Sequence, residues 1–174
     1  MTEVKEKNQV SVVLFRVGRE EFAIEIIDAK EIIKAGQIRK LPESLEYIDG
    51  IYNYRGEIIF IINLKKKLRL TEYQLYRAEE NFSSEDEDGV KSQYFIIVKI
   101  NNLDTGFLVD QILNVEHVSP KDIDGLNSIV QTGVDINYIK GVIKFNDRPR
   151  ILLDLSKILT KTEQKSIQNE INKM

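Results

Sequence analysis

Tyr47-Ile48-x-Gly50 returns as Tyr138-Ile139-x-Gly141, and that recurrence constrains the fold of this 174-residue chain more than any motif in it. Asn63-Leu64 matches Asp154-Leu155, and Leu68 matches Leu159, at the same offset of 91 residues. Phe22, Ile24, Glu25, Ile27 and Glu31 match Phe107, Val109, Asp110, Ile112 and Glu116 at an offset of 85. Self-similarity at a fixed spacing sets architecture first, because each copy has to bury the same face. Two segments repeated in the same order imply a duplicated fold in which one connecting loop has changed length.

Both copies read as β structure. Val10 to Val17 is rich in β-branched and aromatic residues, Gly18 to Glu21 reads as a turn, and Phe22 to Ile26 alternates in strand fashion. Asp28 to Ile33 fits a third strand or a short helix capped by Asp28; β-branched Ile32-Ile33 favours the strand. Leu41 to Tyr47 is a loop around Pro42. Gly50 to Tyr54 and Glu57 to Asn63 flank Arg55-Gly56 as a tight hairpin, and Ile58 to Ile62 is apolar enough to be buried on both faces. Leu64 to Leu70 fits a short helical turn.

The second copy follows as Tyr94 to Ile100, a turn at Asn101 to Asp104, Gly106 to Asp110 and Ile112 to Val118. A loop spans Pro120 to Thr132, and Ile139 to Phe145 pairs with Arg150 to Asp154. The tail 156–174 is helical, but Ile158, Leu159, Ile167 and Ile171 are too sparse for a long buried face, so it is expected to fray. Residues 1–9 are polar and expected to be flexible, and 79–92 form an acidic loop with six acidic residues between Glu79 and Asp88. These boundaries put one domain at 10–160, with lobes near 10–70 and 93–155; strand exchange between the lobes is left open.

The composition removes several function classes. A net charge of −3, from 25 basic and 28 acidic residues, gives no footprint for nucleic acid, and Lys65-Lys66-Lys67 reads as the solvated end of a strand. No apolar run is long enough for a membrane span, and MTEVKEKNQV lacks a secretory signal, so a cytoplasmic protein without membrane insertion is expected. The absence of cysteine excludes disulfides and thiolate metal sites, and with His117 the only histidine, neither a metal site nor a His-paired nucleophile is expected. No phosphate-cradling loop or serine elbow is present, so no cofactor and no catalysis are expected. A small-barrel enzyme acting through Glu31, Glu116 or His117 is the competing reading. What stands out is an aliphatic surplus: Val13, Ile24, Ile26, Ala29, Ile32, Ile112, Val115 and Val118 exceed what two small cores need, and some must reach the surface or the seam.

Several stretches carry a family resemblance: F-x-V-G-x-E-x-F-A-I-x-I from Phe15 to Ile26, Glu31-Ile32, Gly50-x-x-Asn53-x-Arg55-Gly56, Ile62-Asn63-Leu64 and Gly106 to Asp110. From about Val12 to Leu159 the chain resembles the bacterial chemotaxis coupling proteins, the CheW family. The resemblance implies an all-β fold of two small five-stranded Src-homology-type barrels on a shared hydrophobic seam, with a short helix between them and a C-terminal helix. It implies a non-catalytic adaptor that couples the helical cytoplasmic tip of methyl-accepting chemoreceptors to the regulatory domain of the histidine kinase CheA. Recruitment to receptor arrays at the inner face of the membrane, and contact with other CheW-like proteins there, are implied as well. A detached kinase regulatory domain, or another CheW-like scaffold, is the alternative.

Carried over residue by residue, the receptor groove falls on Val13, Ile26, Ala29, Ile32 and Ile112, bordered by Glu31 and Arg55. Ala29 is smaller than the family's usual valine or isoleucine. No single residue is assigned to the kinase-facing surface. Arg55, ahead of Gly56 in a tight turn, has a second available role, bracing the hairpin through carbonyl oxygens.

Overall fold

The computed structural model describes residues 8–42, 44–70, 92–125 and 134–174. Most of the expected N-terminal segment, the acidic segment 79–88 and part of the loop 120–132 fall outside the described residues. Eleven strands are described: β1 (Val10–Val17), β2 (Glu20–Glu25), β3 (Glu31–Lys34), β4 (Ile48–Tyr54), β5 (Glu57–Asn63), β6 (Tyr94–Ile100), β7 (Leu103–Val109), β8 (Gln111–Val118), β9 (Ile123–Asp124), β10 (Ile139–Ile143) and β11 (Arg150–Leu153). Two helices accompany them, α1 (Leu64–Lys67) and α2 (Lys161–Asn172). No helix among the described residues is long and apolar enough to cross a membrane.

The strands form two sheets, ordered β8-β1-β2-β11-β10-β9 and β3-β6-β7-β5-β4. The fold is all-β with two barrel-like lobes, one of which carries a sixth, two-residue strand rather than the expected five. Each sheet draws on both halves of the sequence. The β1–β2 hairpin leaves the first half and joins β11 in parallel, Phe22 opposite Ile151, while β6–β7 joins β5 in parallel, Gly106 opposite Ile61. Segments 10–70 and 93–155 have thus exchanged their first hairpins.

The duplication survives to the level of single hydrogen bonds. Ile48 opposes Ile62 and Gly50 opposes Ile61 across a bulge; Ile139 opposes Leu153 and Gly141 opposes Leu152 across the same bulge. Asn63 N donates to Tyr47 O at 2.7 Å, and Asp154 N to Tyr138 O at 2.8 Å. Asn63 and Asp154 each then cap the turn that follows, accepting from Lys66 N and Ser156 N. The bridge between Arg39 and Ile51 is the first copy's counterpart of β9 against β10, Asp124 opposite Val142. The repeated glycine follows from this: a Cβ on Gly50 would lie 2.2 Å from Arg39 O, and one on Gly141 2.6 Å from Asp124 O.

Each sheet buries both faces. Along β1, Val13, Phe15 and Val17 enter one large core shared by the two sheets, and Val12 and Leu14 enter a second core with Ala23, Ile143 and Leu152. Along β5, Phe60 and Ile62 enter the shared core, and Ile59 and Ile61 a third core with Phe95, Ile97 and Leu108. The seam is therefore the largest core in the molecule, with Phe22, Ile96, Phe107 and Leu153 meeting there.

Several local readings need correction. Only Gly18-Arg19 turns, and Glu20-Glu21 belongs to β2, because Glu21 is a strand residue held by three arginines. Arg16 lies 3.1 Å from its carboxylate, Arg148 2.9 Å and Arg150 2.8 Å, which ties β1, β2 and β11 together. Leu103-Asp104 is strand as well; the turn is Asn101-Asn102, both left-handed (φ 50° and 66°), as a two-residue hairpin of this hand requires. Ile26–Asp28 is a 3-10 turn between strands. The lysine run forms α1, and Lys67 is nearly buried, 2.9 Å from Glu163 and 4.2 Å from the Tyr47 ring centre. The tail docks instead of fraying: Thr160 and Glu163 make a reciprocal capping box for α2, and Ile167 is buried with Ile171 packed beside it.

Two predictions follow from these joints. Burial alone would raise the Glu21 carboxyl, but hydrogen bonds from Arg148, Arg150 and Arg16 lower it from 4.5 to about 2. A depressed folded-state value contributes stability above pH 4.5 that is lost as pH falls toward 2. Glu21→Gln should therefore lose on the order of 2 kcal/mol at pH 7 and show a flatter decline between pH 4.5 and 2 in urea melts. Gly50→Ala adds a Cβ at φ +148° against a backbone carbonyl and should cost on the order of 3 kcal/mol by the same measurement.

Candidate functional site

β2 lies in one sheet and β3 in the other, so the chain between them crosses the seam at the surface. That crossing positions most of the residues singled out from the sequence. The 3-10 turn Ile26–Asp28 opens it, and Lys140 fastens the turn by donating to Glu25 and, at 2.6 Å, to Asp28. Burial alone would lower the Lys140 ammonium, but these two carboxylates raise it, so the clamp stays charged at neutral pH. Ile26 is left 38% exposed. Ala29 and Ile32 follow, half-buried against the shared core, and Ile112 on β8 packs half-buried against the same core. Val13 is only 3% exposed and belongs to the core; it supports this surface from beneath without presenting area to a partner.

The polar border is built by the β4–β5 turn. Tyr54 pairs with Glu57, and the two residues between, Arg55 (φ 52°) and Gly56 (φ 84°), are both left-handed. Glycine takes that conformation freely, and Asn53 steadies the turn by accepting from Gly56 N at 3.0 Å. The turn carries the Arg55 guanidinium to Glu31, which accepts from Nη2 at 2.9 Å and also from the Tyr54 hydroxyl. Arg55 therefore pairs with a side chain across the seam crossing instead of bracing its own hairpin through carbonyls. The hydrogen bond to Glu31, aided by burial, pushes the Tyr54 phenol up.

The sequence reading missed three neighbours of this pair. Lys30 donates to Asp104 Oδ2 at 2.6 Å, and that bond chiefly raises the Lys30 ammonium. Two cations lie over the Tyr54 ring, Lys30 at 5.7 Å and Arg55 at 5.4 Å from its centre. Asp104 Oδ1 is buried without a hydrogen-bond partner. A Lys-Asp pair 74 residues apart leaves no local trace; Tyr54, adjacent to Arg55, was the one signal available.

The residues of the enzyme reading are dispersed. Glu31 is committed to Tyr54 and Arg55. Glu116 and His117 are neighbours in β8 and project from opposite faces, Glu116 toward Asn114 and His117 Nδ1 toward Ser11 Oγ at 2.8 Å. Among the described residues no group of three His, Asp or Glu side chains is placed to hold a metal ion. The cavities described lie elsewhere: about 280 Å³ beneath α2, about 530 Å³ between α2 and the 41–48 loop, and about 820 Å³ between Tyr47 and Tyr138. The seam surface is thus a shallow apolar face with a charged border, which suits a macromolecular partner better than a small substrate.

A family model described as a CheW-like domain matches residues 11–163. The chain is similar to the chemotaxis protein CheW of Treponema pallidum, 32% identical over 161 residues that cover 92% of this chain and 88% of that protein. It is similar to the chemotaxis protein CheW of Thermotoga maritima, 28% identical over 151 residues, covering 87% and 88%. Among solved structures it is similar to the scaffolding protein TtCheW from Thermoanaerobacter tengcongensis, with a TM-score of 0.70, 28% identity and coverage of 87% and 88%.

The border should tolerate loss of its charges. Arg55 has a side chain 71% exposed, so Arg55→Ala should change stability by less than about 0.5 kcal/mol. Glu31→Ala removes the acceptor of a buried tyrosine hydroxyl as well and should cost about 1 kcal/mol. Urea melts with unchanged circular dichroism would establish both; unfolding of either variant would contradict this placement.

Proposed function

The chain belongs to the CheW-like domain family, and from that premise we propose that it is a non-catalytic adaptor coupling methyl-accepting chemoreceptors to the CheA histidine kinase in chemotaxis. The observation that carries the reading is the Glu31–Arg55 pair, held by the Asn53-to-Gly56 turn at the border of an apolar surface on the seam. An amphipathic helix from the receptor's cytoplasmic tip would lay its apolar face on Ile26, Ala29, Ile32 and Ile112, with Val13 beneath. Its polar flank would meet Glu31 and Arg55. Ala29 leaves room there for a larger side chain on the helix than valine would. The regulatory domain of the kinase, and other CheW-like chains, would use surfaces away from this one, in arrays at the cytoplasmic face of the membrane.

The physical case rests on cost and gain. Ile26, Ala29 and Ile32 sit on a crossing fastened at one end by Lys140 and at the other by β3 pairing with β6, so little ordering entropy is spent when a helix docks. The apolar area already in water supplies the gain.

Ile32→Asp puts a charge where the helix would exclude water and should weaken binding of a receptor-tip helical hairpin by on the order of 3 kcal/mol, roughly a hundredfold in Kd. Arg55→Ala should weaken it about fivefold, or about 1 kcal/mol. Both are read by titration with the hairpin, with and without the kinase regulatory domain. Wild-type binding and kinase activation by both variants would remove the site assignment.

A further inference from the structure

We propose that the cavity beneath α2 is a binding site for a free medium-chain carboxylate, an alkyl tail ending in one anion. The sequence of α2 creates the space. Lys161, Gln164, Lys165 and Gln168 recur at helical spacing along the side of α2 that lines the cavity, where a helix laid on a core normally places apolar side chains. Ile167 alone fills that role. Below them Ile100, Leu103 and Leu159 form an apolar floor that belongs to the core shared by the two sheets. The gap left between helix and floor is about 280 Å³. An apolar cavity of ~150 Å³ accepts benzene, so this one has room for about eleven non-hydrogen atoms.

The polar groups of the cavity select the charge of its occupant. Thr105 on β7 lines it and is 2% exposed, yet its hydroxyl makes no hydrogen bond among the described residues. Its cross-strand neighbours, Phe60 and Val98, have none to offer. A buried hydroxyl without a partner is costly, and an oxygen of a bound ligand would supply one. Lys161 and Lys165 are exposed, one helical turn apart at the mouth, and neither has an ion-pair partner among the described residues. Other lysines of the chain are paired, Lys30 with Asp104, Lys67 with Glu163 and Lys140 with Glu25. No described Asp or Glu lines the cavity. Unpaired ammonium groups and a free hydroxyl over an apolar floor suit an anion with a tail, and they disfavour a cation or a sugar. The site is independent of the receptor surface, to which none of these residues was assigned.

Calorimetric titration of the full chain with straight-chain carboxylates tests this. Affinity should rise about fourfold per methylene from hexanoate to decanoate and then level off, because each added group is buried only until the cavity is full. Decanol should bind about fivefold more weakly than decanoate, and Lys161→Gln with Lys165→Gln should remove that difference. Thr105→Val keeps the shape, loses the hydroxyl and should weaken decanoate about fivefold. Leu103→Trp fills the space and should abolish binding. Because that variant can also disturb the hairpin, nuclear Overhauser effects from decanoate to the methyl groups of Ile100, Leu103 and Ile167 in the wild type give the location independently. Absence of binding would overturn the proposal, as would equal affinity for decanoate and decanol, or Overhauser effects to other methyl groups only. Affinity that keeps rising past dodecanoate would reveal surface adsorption and overturn it too. Co-sedimentation with phosphatidylglycerol vesicles without binding of any free acid would assign the cavity to a lipid tail and overturn it in the same way.

Discussion

Everything in this molecule hangs on the two parallel joins, β2 with β11 and β7 with β5. Each links a hairpin from one half of the sequence to the strand that closes the other half, so neither half can satisfy its backbone alone. The joins also bring one face of each sheet to the same plane, where Phe22, Phe60, Phe107 and Leu153 form a core that belongs to both. A duplicated chain could have made two independent barrels. Exchange makes the interior of the pair larger than either would own, which matters at this size because small lobes bury too little apolar surface to be stable separately.

The site follows from the same exchange. Because β2 and β3 lie in different sheets, the residues between them must pass over the seam, and three of the surplus aliphatics, Ile26, Ala29 and Ile32, stand on that passage or where it enters β3, while Val13, Ile24 and Val118 went into the cores. Duplication alone would supply two such places, but the copies differ where it counts. The first has Asn53-Tyr54-Arg55-Gly56 at its turn, while the second has Lys144-Phe145-Asn146-Asp147. Only the first places two consecutive left-handed residues after an asparagine that caps them, and only there does an arginine reach a glutamate on the crossing.

Much of the scaffold was legible in the sequence and most of its fastenings were not. The Tyr-Ile-x-Gly repeat announced the duplication, and the structure supplies the reason for its glycine, a carbonyl of a neighbouring segment lying against the Cα in both copies. The apolar run Ile58 to Ile62 announced β5, because a strand buried on both faces loses its alternation. Strand ends were blurred where polar residues sit inside strands for reasons of long range: Glu21 looked like a turn until its three arginines were seen, two of them more than 120 residues away. β9 was unreadable because two residues have no period. Lys30 with Asp104, Lys140 with Glu25 and Asp28, and Lys67 with Glu163 are likewise pairings of distant charges. The pairing of Glu31 with Arg55 was no exception; family resemblance had named both residues, and the structure supplied the bond.

The exchange of hairpins also has a meaning in time. Phe22 and its partner Ile151 are separated by about 130 residues of chain, so on the ribosome β2 is finished long before β11 exists. At ~5 to 20 residues per second the N-terminal hairpin waits on the order of ten seconds with its inner strand unpaired. The β6–β7 hairpin has no such delay, since β5 precedes it and is ready to receive it. The sheet that holds β3 to β7 is therefore the one synthesis can complete first, and the chain's oldest strands are the last to find their place.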